Sequence, residues 1–228
     1  MLRKTLLLLV SFIITATAFT QEPVNRELTH FSKLVVGDRI IVRLVKSDKE
    51  SAGIQAQGIS ASAVKTDISG NTLNISIYGE PFTKKKVMVT LHFVKLTDIE
   101  VNNGADVSTA SLFKADSLHV ELKSGGVLYL DADVENLSGR IAEGSILSAE
   151  GYATRMDMVV STTATLSAFD LETEVARVKA VAGGKAKINV ESELDAEAGS
   201  KGFISYKGNP GKINRIINSG GTITAYQP

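Results

Sequence analysis

Asn103-Gly104-Ala105, Ser124-Gly125-Gly126, Glu143-Gly144-Ser145, Thr162-Thr163-Ala164, Ala182-Gly183-Gly184, Ala198-Gly199-Ser200 and Ser219-Gly220-Gly221 are versions of one small corner, and they punctuate the sequence from Ile99 to Ile223. The middle residues follow one another at steps of 21, 19, 19, 20, 16 and 21. Between corners the apolar residues alternate: Leu118, Val120 and Leu122 run in, and Leu128 and Leu130 run out. Side chains on a strand point to opposite faces in turn, so these sets share one face while His119, Glu121 and Lys123 take the other. Strand periodicity with a turn near every 20 residues, and no helical pattern, is the signature of a β-solenoid. The sequence therefore predicts an all-β, single-stranded β-solenoid with coils of about 20 residues. Gly104, Gly125, Gly144, Gly183, Gly199 and Gly220 are assigned to its turns.

The apolar positions shrink towards alanine in the middle coils, as at Val178, Ala180 and Ala182. A narrow interior can be filled by alanine mixed with Leu, Val and Met. Strands stack roughly 4.8 Å apart, so seven coils give a rod roughly 30 Å long. A β-sandwich is the rival for an all-β chain of this size. It does not require glycine corners at near-constant spacing.

Residues 1–20 read as a signal peptide. Arg3 and Lys4 form a positive start, Leu6 to Ile14 is an apolar run broken only by Ser11, and Ala16-Thr17-Ala18 supplies small residues for cleavage. The apolar run is shorter than the roughly 20 residues that span a bilayer. No later stretch is long enough to do so, so no transmembrane segment is expected after cleavage. The chain has no cysteine, which excludes disulfides and a lipid on an N-terminal Cys. The expected organisation is a signal peptide at 1–20 and one domain at 21–228. Within it, less regular coils occupy 21–95 and regular repeats 96–228. The expected address is outside the cytoplasm: periplasm, cell surface or medium.

Losing Arg3 and Lys4 leaves 23 basic residues against 25 acidic ones. That balance argues against nucleic acid as a partner, because phosphate binding needs a basic surface. Lys84-Lys85-Lys86 follows Gly79-Glu80-Pro81 and reads as a solvated hairpin loop.

Catalytic patterns are missing. His30, His92 and His119 have no second His or Cys at metal-ligand spacing. Gly58-Ile59-Ser60-Ala61-Ser62 lacks the last glycine of a nucleophile elbow. Gly183-Gly184-Lys185-Ala186 lacks the spacing and the hydroxyl of a P-loop. One row stands out: Glu191, Glu193, Asp195 and Glu197 alternate along a strand. Such carboxylates can gather Ca²⁺ or serve as acid and base on a sugar; they also suit a solvated outer face. Asp131, Asp133 and Glu135 form a weaker row. No cofactor is expected.

The opening Phe31-x-x-Leu34-x-Val36-Gly37, the strand Ile40-Ile41-Val42-Arg43-Leu44, the Gly70-Asn71-x-Leu73-x-Ile75 turn, the serial corners and Gly202-Phe203-Ile204-Ser205-Tyr206-Lys207-Gly208-Asn209-Pro210 carry a family resemblance. Over nearly all of the chain beyond residue 20, the sequence resembles the "putative auto-transporter adhesin, head GIN domain" family of exported Bacteroidetes proteins. The resemblance implies a right-handed β-helix-like fold and an adhesin-type role, and it brings no catalytic residues. The Thr162-Thr163-Ala164 corner departs from the family's Ser-Gly pattern, which implies one degenerate coil.

Together these readings give an exported, non-enzymatic solenoid that binds a protein or a glycan or serves as a scaffold. A carbohydrate-active enzyme using the Glu191–Glu197 row is the alternative. Homo-oligomerisation through the open end of the stack is a third expectation.

Overall fold

The computed structural model describes residues 23–78 and 85–226. The expected signal peptide and most of the loop before Lys85 lie outside the described residues. The chain is all-β, a solenoid of about seven turns. Its one helical element among the described residues is a single 3₁₀ turn at Ala61–Ala63.

The strands are β1 (Val24–Glu27), β2 (Lys33–Val36), β3 (Ile41–Lys46), β4 (Ser51–Gln57), β5 (Val64–Ser69), β6 (Thr72–Ile77), β7 (Lys86–Phe93), β8 (Asp98–Val101) and β9 (Asp106–Thr109). They continue as β10 (Phe113–Leu122), β11 (Val127–Ile141), β12 (Ile146–Val160), β13 (Thr165–Ala180), β14 (Lys185–Ala198), β15 (Phe203–Lys207), β16 (Lys212–Ile217) and β17 (Thr222–Ala225). Neighbouring coils pair in parallel at an offset of 19, as in Val127↔Ile146 and Leu137↔Met156.

Each coil has two straight runs joined on one side by a tight corner and on the other by a bend, which in β11 to β14 lies within a single long strand. The bend falls where two exposed residues in succession break the alternation, at Glu135-Asn136 and Glu191-Ser192. Strand segments leaving the corners form sheet I, in the order β1–β4–β7–β3–β9–β11–β12–β13–β14–β15–β17. Segments entering the corners form sheet II, in the order β5–β6–β2–β8–β10–β11–β12–β13–β14–β16. The core lies between them as stacked columns. Val42, Val107, Leu128, Leu147, Leu166, Ala186 and Ile204 make one column in sheet I, and all are buried.

Each corner places two residues in succession in the left-handed region: Asp38-Arg39, Asn103-Gly104, Ser124-Gly125, Glu143-Gly144, Thr162-Thr163, Ala182-Gly183, Ser200-Lys201 and Ser219-Gly220. The residue after each pair donates its N–H to the carbonyl before the pair, as Gly126 does to Lys123 (3.1 Å) and Gly184 to Val181 (2.9 Å). Positive φ at both central positions is the mark of a type I′ turn. Corners are also bonded to one another. The second residue of each pair donates to the first of the next coil, from Arg39→Asn103 (3.1 Å) through Gly125→Glu143 (3.0 Å) to Lys201→Ser219 (3.4 Å).

Two corners differ from the sequence reading. Asp38-Arg39 heads the column although 65 residues separate Asp38 from Asn103. The corner placed at Gly199 sits at Ser200-Lys201, with Gly199 one position upstream. The irregular steps of 16 and 21 thereby become 18 and 19.

The N-terminal end is closed because the chain doubles back. The β2–β3 coil is sandwiched in the stack between β8–β9 and the later β6–β7 layer. Antiparallel β5 and β4 then cover β6 and β7, and β1 covers β4. Arg26 of β1 ties the two sheets together, donating to the carbonyls of Val64 (2.6 Å) and Ala61 (2.8 Å) and to Thr66 Oγ1 (3.1 Å). At the other end, Ile213, Arg215 and Ile217 of β16 continue the core columns of Leu194, Ala196 and Ala198 but are exposed. Arg215 lies over the Tyr206 ring, 5.2 Å from its centroid, and hydrogen-bonds its hydroxyl.

At four corners the residue just after the I′ pair is a glycine pressed against the coil beneath: Gly126, Gly184, Gly202 and Gly221. A Cβ on Gly202 would lie 1.9 Å from the Ala180 carbonyl oxygen. Gly202→Ala is therefore expected to destabilise the fold by more than about 3 kcal/mol in urea unfolding. Ser145 holds the equivalent place with its hydroxyl buried and without a partner. Ser145→Ala is expected to be neutral or stabilising by about 1 kcal/mol, since it removes an unpaired polar group. At the degenerate corner, Thr162 and Thr163 adopt φ of 51° and 60°. Thr163→Gly relieves a β-branched residue there and should raise stability by about 1 kcal/mol in the same assay.

Candidate binding face

The two sheets present different outer surfaces. On sheet II the outward rows carry charges that are matched across coils. Lys33 pairs with Asp98 (3.3 Å), Lys123 with Glu100 (2.8 Å), Lys179 with Glu197 (2.8 Å) and Lys212 with Glu193 (2.6 Å). Arg177 bridges Asp157 (3.6 Å) and Asp195 (3.4 Å), and Asn214 donates to Asp195 (3.2 Å). The parallel register produces this, because residues about 19 apart become neighbours and the sequence alternates sign at that interval.

The carboxylate row is thereby accounted for. Glu193, Asp195 and Glu197 share the outer face of sheet II, each against a cation or an amide. Glu191 stands apart at the bend, where the β13–β14 register shifts between Thr173 and Val175. Lys212, by hydrogen bond and charge, holds the Glu193 carboxyl below its ordinary range, and Glu193 raises Lys212 in return. Among the described residues no group of three or more His, Cys, Asp or Glu is placed to hold a metal ion. Of the second row, Asp133 pairs with Lys114 (2.7 Å). His30 meets Glu50 (2.9 Å) and His119 meets Ser138 (3.1 Å).

Sheet I is different. Its first outward row reads Gln55, Met88, Ile41, Asp106, Val127 and Ile146 across β4, β7, β3, β9, β11 and β12. The next reads Asn25, Gly53, Thr90, Arg43, Ser108, Tyr129 and Ser148. Met88, Tyr129 and Ile146 are 42%, 51% and 41% exposed, so this face offers apolar area to solvent. Burial pushes the Asp106 carboxyl above its ordinary value. Asn25, Arg43, Gln55, Thr90 and His92 make no side-chain hydrogen bond or ion pair among the described residues. With Pro23, Ile41, Gly53, Met88 and Val89 they line a hollow of about 250 Å³.

Sequence reasoning passed over this face. Its residues lie on four strands that are scattered in the chain, and the doubling back of the N-terminal segment brings them together. The signal present in the sequence was the exposed Met88 and the paired amides in otherwise alternating strands. A second hollow, of about 190 Å³ and apolar, lies at the edge of sheet I beside the stacked rings of Phe93 and Phe113. Among the described residues no helix is long and apolar enough to cross a membrane.

The family described as "Putative auto-transporter adhesin, head GIN domain" matches residues 30–210. A solved structure of a putative adhesin from Bacteroides fragilis is similar at 20% identity with a TM-score of 0.79, covering 90% of this chain and 96% of that one. A putative adhesin from Parabacteroides merdae gives 17% and 0.73, over 90% and 95%. A protein from Parabacteroides distasonis described as a putative lipid binding protein gives 17% and 0.69, over 91% and 98%. At these identities the likeness is one of fold. No curated protein matches the chain.

The ion-pair ladder on sheet II sets an expectation. A carboxylate held below its ordinary range adds stability above its unfolded pKa and loses it as pH falls through the lowered folded value. The Tm difference between wild type and Glu193→Gln should therefore shrink from pH 7 to pH 3, and shrink with added salt. Since the row is already matched by cations, millimolar Ca²⁺ should leave the Tm unchanged; a rise would reveal binding by mass action.

Proposed function

Because the chain belongs to the "putative auto-transporter adhesin, head GIN domain" family, we propose that it is an exported, non-enzymatic binding module of adhesin type, with sheet I as its contact face. The observation that carries this is the contrast between the two sheets. Among the described residues, most charged groups on sheet II pair across coils, Arg140 and Arg155 excepted, whereas sheet I gathers five hydrogen-bonding side chains without protein partners around one hollow beside exposed Met88, with Tyr129 and Ile146 exposed further along the same face. Unmatched polar groups beside apolar area are what a partner surface completes. An extended solenoid face gives a broad, shallow contact suited to a glycan or a protein.

The signal peptide read at residues 1–20 supports a place in the periplasm, on the surface or outside the cell. The carboxylates of the enzymatic alternative are each engaged or isolated, and the similar structures named above are described as putative adhesins or a putative lipid binding protein. At β16 the open end of the stack resists pairing with a second copy. The exposed edge strand β16 points Arg215 inward, a placement that opposes pairing with another strand.

The test is a glycan array probed with residues 21–228, with and without Ca²⁺, alongside variants on each face. Binding is expected to be specific and independent of Ca²⁺. It should fall at least ~10-fold with Tyr129→Ser and Ile146→Ser and be unchanged by Arg177→Gln on sheet II. Equal loss from both faces would overturn the assignment of sheet I.

A further inference from the structure

We propose that the hollow framed by β1, β4, β7 and β3 is a subsite for a carboxylate-bearing pyranose, such as a uronic acid unit of a glycan; this rests on sheet I being the contact face. The hollow exists because of one missing side chain. Asn25, Gly53, Thr90 and Arg43 lie in a single line across the four strands, each opposite the next in register. At Gly53 the row of outward side chains is interrupted, and a Cβ there would reach to 3.2 Å from Asn25 Oδ1. The gap is therefore rimmed by an amide on one side and by the Thr90 hydroxyl and the Arg43 guanidinium on the other. The neighbouring line supplies the Gln55 amide, with Met88 and Ile41 as an apolar ledge. His92 closes a third side, two positions along β7 from Thr90.

That set of groups specifies a ligand. The ledge suits the C–H face of a sugar ring, and two amides and a hydroxyl suit ring hydroxyls. A guanidinium free of any carboxylate on its own surface suits a planar anion, which it can grip with two N–H bonds. The nearest carboxylates in register are Asp106, next to Ile41 on β9, and Glu27, in the row of Ser51 and His92. Neither pairs with Arg43. The volume of about 250 Å³ is below the roughly 300–1,000 Å³ of pockets for drug-sized ligands, so it fits one ring of a longer chain.

The experiment is an NMR titration of residues 21–228 with methyl β-glucuronide, methyl β-glucoside and acetate. The glucuronide should shift amides of β1, β3, β4 and β7, with the glucoside and acetate at least ~10-fold weaker. The glucoside arm isolates the carboxylate, and the acetate arm isolates the ring. Arg43→Gln should weaken the glucuronide at least ~10-fold, and Gly53→Val should abolish binding by filling the gap, while Arg177→Gln changes nothing. Gly53 has no left-handed φ, and a Cβ there comes closest to the end of the Asn25 side chain, with Thr90 at ordinary contact distance (3.9 Å); urea midpoints will confirm that both variants fold. Equal affinity for glucuronide and glucoside, no shifts at roughly 50 mM of any probe, or wild-type binding by Arg43→Gln would overturn the proposal. Its failure would leave the array results for Tyr129 and Ile146 standing, because neither residue lines the hollow.

Discussion

Two consecutive left-handed residues, repeated at the same place in every coil, are the constraint on which the structure depends. The pair turns the chain within four residues, and the N–H of its second residue and the C=O of its first point along the stack. Each corner is thus bonded to the next by the bond that satisfies it, from Arg39 to Ser219. Register follows directly. With corners locked one above another, every inward residue meets its equivalent in the next coil, and a slip by one residue would turn each strand's apolar face outward. At four of the corners the space beside the preceding coil is so tight that only glycine fills it, at Gly126, Gly184, Gly202 and Gly221.

This constraint also explains what the sequence disclosed. The alternation and the glycine corners are local signals, and the all-β solenoid with coils of about 20 residues follows from them. Ser200-Lys201 was masked because neither residue is a glycine and Gly199 stands beside it; the φ values are imposed by the stack. Asp38-Arg39 was hidden for a different reason. Its neighbour in the column is 65 residues away, across strands β4 to β7 that fold back over it, and no periodicity spans such an insertion. The hollow was hidden for the same reason, since Asn25, Gly53, Thr90 and Arg43 become a line only after that fold-back. The row at Glu193, Asp195 and Glu197 was legible as a row. Its partners were not, because they lie about one coil away on either side.

The two surfaces divide the work of the molecule. A parallel stack with regular offset lets one sheet pair most of its own charges from coil to coil, as sheet II does. Sheet I departs from regularity at its N-terminal end, where antiparallel β4 and β1 join, and there its side chains are left open. Open side chains and structural irregularity therefore coincide in the same quarter of the fold.

The fold-back has a mechanical consequence. By returning β1 to the outside of β4, it puts the start of the described chain at the closed end of the rod, while β17 lies at the open end. A pull between these two points runs along the whole axis and must part the coils in sequence. The open end, where Ile213 and Ile217 are exposed, is the weaker one and would peel first. Under such a pull the two ends differ in what holds them: β16 at the far tip rests on one neighbour, whereas β1 is also tied across the two sheets by Arg26.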